Sequence, residues 1–405
     1  MSELTYERLR DAAAGGAVAL RSRTELQPAD GSGGKVFPPT YAVSSGYKYA
    51  VETRQVGDKE VQTVLLDSVA SQANRAELAL LEGWEAGELA FPVPYVDFST
   101  EAGEFDDIGR LTVLETPHRL ADAIFRDSLL NGTLFRLSEV GRAITDAQPR
   151  NATALYRYAP TALLFGQWDS TGPKGGLGSK FQRAYVSEIV GHDVQIGSKV
   201  GSRLDPLQIE REAAVAYEHE DRDQRWTLDK AEALIEKGKP KVAGSDGKPS
   251  EINHGNYPPI IDNLSGGVTI SNAVQTTVIS LAALRHLRFA GYSRDAEIAA
   301  RTAVAALGVA AVVMAHEMDH DLRSRCLLIP QHPPRIELVG RDGSAPETVD
   351  IDRNSASQIL DQAAQASSGL GLAWETAEIK LEPAPKLFEL LRRSREVSAR
   401  ETSEE

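Results

Sequence analysis

The sequence predicts an α+β fold with one core and inserted segments. Three observations lead there. Strand-like and helical patterns alternate irregularly along the chain. No segment repeats at the fixed period that marks a solenoid. And 41% hydrophobic residues in a chain of 405 supply a sizeable core without help from metals or disulfides. A chain this long accommodates two or three domains, or one domain carrying large insertions. The expected organisation is a single domain over 1–405, with candidate insertions at 76–110 and 200–265. A charged, frayed tail is expected at 396–405.

The elements follow in order. Residues 17–28 alternate long and β-branched side chains and read as a first strand. A flexible Gly-Ser run (31–34) precedes 36–41, where two prolines exclude a regular helix. Two strand-like runs, 47–56 and 60–69, flank Gly57-Asp58 and read as a hairpin. Asp67 or Ser68 is placed to cap a helix reaching about Glu85. Pro92 and Pro94 make 87–115 an irregular or edge segment. Helices are expected at 117–130 and 138–146, and a short buried strand at 161–168. The chain is then Gly-rich and basic to Lys180. Residues 205–250 are highly charged, with a helix expected at 227–237 and a polar linker after it. Strand then helix is the reading of 266–281. A helix pair follows at 279–290 and 295–320, then a strand at 326–330 and another at 336–340. Helices at 354–366 and 384–395 close the pattern.

Charge and cysteine content narrow the function classes. The net charge is −14, whereas nucleic-acid domains are usually basic, so any such partner requires a local basic surface on an acidic body. The single cysteine, Cys326, forms no intrachain disulfide, which fits a reducing cytoplasm. The N-terminal residues lack the basic start and apolar core of a signal peptide. The apolar run Ala303–Ala315 is shorter than the roughly 17–25 residues of a spanning helix and reads as a buried soluble helix. Cytoplasmic location without a membrane partner is the expectation.

Four motifs carry candidate chemistry. His316-Glu317-Met318-Asp319-His320 matches H-E-x-x-H. On a helix, both imidazoles would share one face and bind zinc while Glu317 activates water. The longer metzincin pattern needs glycine and histidine at its eighth and eleventh positions, and here those are Arg323 and Cys326. Cys326 could ligate zinc, although Arg323 and Arg325 would set positive charges beside the metal, and a distant glutamate such as Glu337 is the other choice for a third ligand. The run 171–180 suggests a P-loop but ends Gly178-Ser179-Lys180, with lysine and hydroxyl transposed. It better suits close backbone approach to phosphates through Gly175, Gly176 and Gly178, with Lys174, Lys180 and Arg183 supplying charge. Trp168 and Phe181 flank it as stacking surfaces. In the third motif, Gln72, Asn74 and Arg75 on the first turns of a helix are chemically suited to phosphate or 2′-hydroxyl groups. In the fourth, Arg323 and Arg325 lie two apart, on one side if extended. No G-x-S-x-G is present.

Taken in order, the segments 26–41, 64–77, 158–191 and 322–330 resemble the type I-U (now I-G) CRISPR-associated RAMP family, over about residues 15–340. The resemblance implies an RRM-like (ferredoxin-like) palm with finger and thumb insertions. It also implies a noncatalytic backbone subunit of the Cascade surveillance complex, without cofactor. The implied partners are crRNA, target DNA through the guide, copies of the chain itself in a filament, and other Cascade subunits. A zinc metallopeptidase using His316 and His320, and a metal-dependent ribonuclease on the same fold, are the alternatives. The expected RNA-contacting residues are Gln72, Asn74, Arg75, Trp168, Lys174, Gly175, Gly176, Gly178, Lys180, Arg183, Arg323 and Arg325.

Overall fold

The computed structural model describes residues 2–99, 103–170 and 180–402. They form two units. The larger comprises 1–41, 49–195 and 268–384, and the smaller comprises 42–48, 196–267 and 385–405.

The larger unit is built on one sheet, antiparallel except where Ser2–Glu3 adds a parallel edge strand beside Glu347–Asp350. Strand β1 (Ala19–Pro28) buries alternate side chains, Leu20, Ser22, Thr24 and Leu26, and turns Arg21 and Arg23 to the other face. The hairpin β2 (Val51–Val56) and β3 (Lys59–Asp67) turns at Gly57-Asp58 as expected, with Gly57 in the left-handed region. Helix α1 (Val69–Glu85) begins where the Ser68 hydroxyl accepts from the Ser71 N–H. Two-residue strands β4 (Gln167–Trp168) and β5 (Lys180–Phe181) pair with each other. Next come β6 (Tyr185–His192), β7 (Asn272–Ser280), helix α2 (Arg294–Glu317) and the hairpin β8 (His320–Arg323) and β9 (Cys326–Pro330). Strands β10 (Arg335–Val339) and β11 (Glu347–Asp350) and helix α3 (Arg353–Gly369) complete the frame.

Its strand order is β11–β10–β1–β7–β6–β3–β2, and β9 joins β1 at its far end. Within this, β1–α1–β6–β7–α2–β10 is a β-α-β-β-α-β succession. Its four strands stand in the order fourth, first, third, second, all antiparallel. That is the ferredoxin-like arrangement of an α+β fold. Helix α2 lies at the centre of the core, and every residue from Ala296 to Met314 is buried. By length and composition it would cross a bilayer, yet 94% of its most apolar window is buried inside the fold. Gly308 permits this packing: a β-carbon there would come within 2.9 Å of Ile279 and 3.1 Å of Leu164.

Several expectations are corrected. Residues 161–165 are helical, and only Gln167 and Trp168 of the expected strand are extended. A continuous apolar run carries no period to separate a buried helix from a buried strand. The helix expected at 227–237 is absent. Trp226–Thr227 and Ile235–Glu236 are short strands, and Lys237-Gly238, both with positive φ, turn the second back on Lys239–Pro240. The change to helix expected by Leu281 comes late. Thr276, Thr277, Val278 and Ile279 hold β7 extended to Ser280, leaving one turn, Leu281–Leu284. The expected helix at 117–130 is a 3-10 turn, a short helix and the strand Ser128–Leu130.

In the smaller unit an antiparallel ribbon pairs Lys199–Arg203 with Tyr257–Asp262. The Asp262 carboxylate accepts from the Leu264 and Ser265 amides and pairs with Lys199. Val200, Leu204 and Ile261 are widely exposed. The closing helix spans Pro385–Thr402, beyond the expected 384–395.

Candidate nucleic-acid interface

Helix α1 underlies both sets of candidate residues that fall in the described structure. At its start, β3 delivers Asp67 into the fold, where the carboxylate is 1% exposed. An isolated buried charge is costly, and here it accepts three hydrogen bonds. Gln72 Nε2 donates at 2.7 Å, Arg75 Nε at 3.0 Å and Arg323 Nη2 at 3.1 Å. Arg75 also donates from Nη2 to the Leu322 carbonyl at 2.7 Å, which fastens α1 to β8.

The network continues inward. Gln72 is buried, and its Oε1 accepts from Ser187 Oγ at 3.0 Å and Gln275 Nε2 at 2.8 Å. His320 Nε2 donates to Gln275 Oε1 at 3.2 Å. This seam joins α1, β6, β7 and β8 through hydrogen-bonded polar groups, while Arg323 Nη1 lies buried with no hydrogen-bond partner among the described residues. Gln72 thus faces the interior, with both amide atoms engaged, and offers no solvent-facing contact. Asn74, on the outer side of the same turn, is exposed.

Arg323 and Arg325 do not share a side. Ser324-Arg325 is the tight turn between β8 and β9, and Arg325 has a φ of 61°. Arg323 therefore points inward to Asp67, while the exposed Arg325 lays its guanidinium 4.0 Å from the Phe37 ring centroid. Phe37 was missed by residue-type reasoning. Its signal was an aromatic beside two prolines in a segment held close to the β8–β9 turn, where its N–H donates to the Arg325 carbonyl.

One turn further along α1 a second surface opens. Glu77 and Arg119, both buried, form a two-pronged ion pair at 2.6 and 2.9 Å. Burial pushes the Glu77 carboxyl up to about 7, against the opposing pull of Arg119 and Arg183. Arg119 Nη1 donates to the Gly166 carbonyl at 2.8 Å. Gly166 has a φ of 82°, and a β-carbon there would stand 3.0 Å from both the Arg183 amide nitrogen and the Phe181 carbonyl oxygen. Glycine is required for this close approach. It fixes β4 beside β5.

The result is a cleft of about 430 Å³ whose lining includes His118, Arg119, Arg126, Trp168, Lys180 and Arg183. Trp168 is 53% exposed. Lys180, its cross-strand partner, holds Nζ 5.6 Å from the indole centroid. Arg183 is exposed beside them. Asp169, an acid next to this surface, is buried and held by Arg136 Nη2, 2.7 Å from each carboxylate oxygen. Lys174, Gly175, Gly176 and Gly178 lie outside the described residues.

The H-E-x-x-H reading does not survive the geometry. Helix α2 ends at Glu317, Asp319 takes a φ of 52°, and His320 opens β8, so the two imidazoles do not lie one turn apart on one helical face. His316 Nε2 is 3.4 Å from both Ser22 Oγ and Thr24 Oγ1, whereas His320 bonds Gln275. Glu317 pairs with Arg353 at 2.8 Å. Glu337, the third-ligand choice, is bound by Arg21 and Arg335. Among the described residues no group of three metal-ligating side chains comes together.

Fold and surface together define an RRM-like α+β protein carrying an exposed tryptophan among cations. Residues 20–196, less than half of the chain, match the family model described as CRISPR-associated protein GSU0053. The match supports a CRISPR-associated protein with a part in CRISPR defence. Comparison with curated proteins gives no match.

Proposed function

We propose that this chain is a noncatalytic, crRNA-holding backbone subunit of a type I CRISPR Cascade complex, working in the cytoplasm. It lines up with further copies of itself and other Cascade subunits along the guide, which pairs with target DNA. The observation that carries the reading is the cleft at Trp168, Lys180 and Arg183, inside the segment that matches the CRISPR-associated family. An exposed indole offers a stacking platform for any base, and the flanking cations suit phosphates. Exposed Asn74, and Arg325 stacked on Phe37, offer a further polar and aromatic surface near the start of α1. The acidic body disfavours nonspecific nucleic-acid binding elsewhere.

The test is purification of the full chain under nuclease-free conditions, with nucleic-acid extraction and metal analysis of one sample. Copurifying RNA is expected, with affinity falling about tenfold or more in Lys180→Glu/Arg183→Glu. Stoichiometric zinc without RNA overturns the reading.

A further inference from the structure

The face of the sheet opposite α1 and α2 carries a recess of about 400 Å³ that the guide surface does not use. Four strands contribute its charged lining. β1 supplies Arg21 and Arg23, β2 Arg54, β6 Glu188, and β10 Arg335 and Glu337. Strand alternation puts these side chains on one face. Val190, His192, Val274 and Thr276 complete the lining, which holds no Phe, Tyr or Trp and has the His192 imidazole as its one ring.

The charges are layered. Glu337 lies on the floor, 6% exposed, while Arg335 and Arg21 above it are 64% and 39% exposed. Arg21 reaches Glu337 through Nε and Nη2, and Arg335 through Nε. Arg54 reaches Glu188 through Nη1 at 2.7 Å, and is the more exposed of that pair. Arg23 is 54% exposed, its nearest carboxylate, Glu25, being 3.8 Å away. Glu52 pairs with Arg54 beside the recess. A guanidinium carries five N–H donors, so donors remain on the outward side of arginines already oriented from beneath.

Arg21 and Arg23, two apart on a strand, repeat at roughly 6.6 Å, comparable to the interval between neighbouring phosphates of an extended single strand. RRM sheets read bases with aromatic rings on this face. Here arginines take their place, which suits backbone contact without base preference.

We propose that the recess binds single-stranded nucleic acid through its phosphates, as a path separate from the Trp168 cleft. It extends the guide-holding reading to a second strand on the same subunit.

The experiment uses the full chain and fluorescein-labelled oligouridylate, oligothymidylate and poly-L-glutamate, titrated across a range of salt. Three proteins are compared: the wild type, Arg23→Glu/Arg335→Glu, and Lys180→Glu/Arg183→Glu. The recess variant is expected to bind the oligonucleotides about tenfold more weakly, with the salt slope reduced by about two. Oligouridylate and oligothymidylate losing equally marks a phosphate site, and loss of one alone assigns the strand's sugar. An unchanged affinity and slope in the recess variant overturns the proposal, whatever the cleft variant does. Loss in the cleft variant beside it leaves the guide reading standing. Retention in both removes both readings. Poly-L-glutamate binding that matches the oligonucleotides and vanishes in the recess variant assigns the face to an acidic protein and also overturns it. Should the double reversal fail to fold, Arg335→Gln, at a 64% exposed position, is expected to reduce the slope by about one, and an unchanged slope rejects the site.

Discussion

The start of helix α1 and the cleft one turn further along carry the same kinds of side chain and treat them oppositely. At the start, Arg75 and Arg323 converge on Asp67, whose carboxylate is buried, and Gln72 turns into the core behind them. In the cleft the buried acids already have partners, Glu77 with Arg119 and Asp169 with Arg136, so Lys180 and Arg183 remain at the surface around Trp168. The availability of an arginine is thus decided by the nearest buried carboxylate. Sequence distance to a helix start does not decide it.

The sharpest way to break this comparison is Asp67→Ala. It strands two guanidiniums and an amide that now share one acceptor, and is expected to cost about 3–5 kcal/mol of folding stability. Denaturant unfolding measures this, and a loss below about 1 kcal/mol would show that Arg75 and Arg323 are not tied down as described. Next is Gly166→Ala, at a positive φ with two backbone atoms 3.0 Å from the new β-carbon. A loss of about 2–3 kcal/mol is expected, along with displacement of Trp168 visible as a change in tryptophan fluorescence.

Acid tests the interior of the α1 seam's neighbour, β1. Burial, with His320 second, lowers His316 to about 4 from an ordinary 6.5. The unfolded chain therefore takes up this proton first as pH falls. The stability associated with His316 is whole above pH 6.5 and is lost between about 6.5 and 4, on the order of 3 kcal/mol. His316→Gln should flatten that part of the profile of melting temperature against pH. An unaltered profile would place the acid sensitivity elsewhere. The smallest expected effect on the fold is Trp168→Ala, with melting temperature unchanged. On the proposed function its effect falls on RNA, an expected loss of about 1–2 kcal/mol in binding, read by anisotropy.

Much of the frame was legible because its signals are local. Ser68 caps α1 where a hydroxyl precedes a helical period, Gly57-Asp58 turns a hairpin, and β1 shows its alternation openly. The apolar run at 161–168 hid its state because a fully buried segment has no polar side to mark a period. The candidate surface was legible in residue type at Trp168, Lys180 and Arg183. It was illegible at Gln72 and Arg323, whose partners Ser187, Gln275 and Asp67 lie more than a hundred residues away, save for Asp67 beside Gln72. The H-E-x-x-H spacing misled for a related reason. A motif on paper assumes its helix continues, and α2 stops after Glu317.

The central pairing of the sheet joins β1 to β7, so residues near the start of the chain wait for partners around residue 275. Strand β6 pairs with β7 as well, and α2, the most apolar segment, is made later still. During synthesis β1 and β6 therefore leave the ribosome long before β7 emerges to pair with both, and contacts this distant in sequence form slowly. Production of this protein is accordingly expected to lean on chaperones until β7 and α2 have emerged. A premature stop before residue 272 should yield insoluble protein, and no smaller working piece.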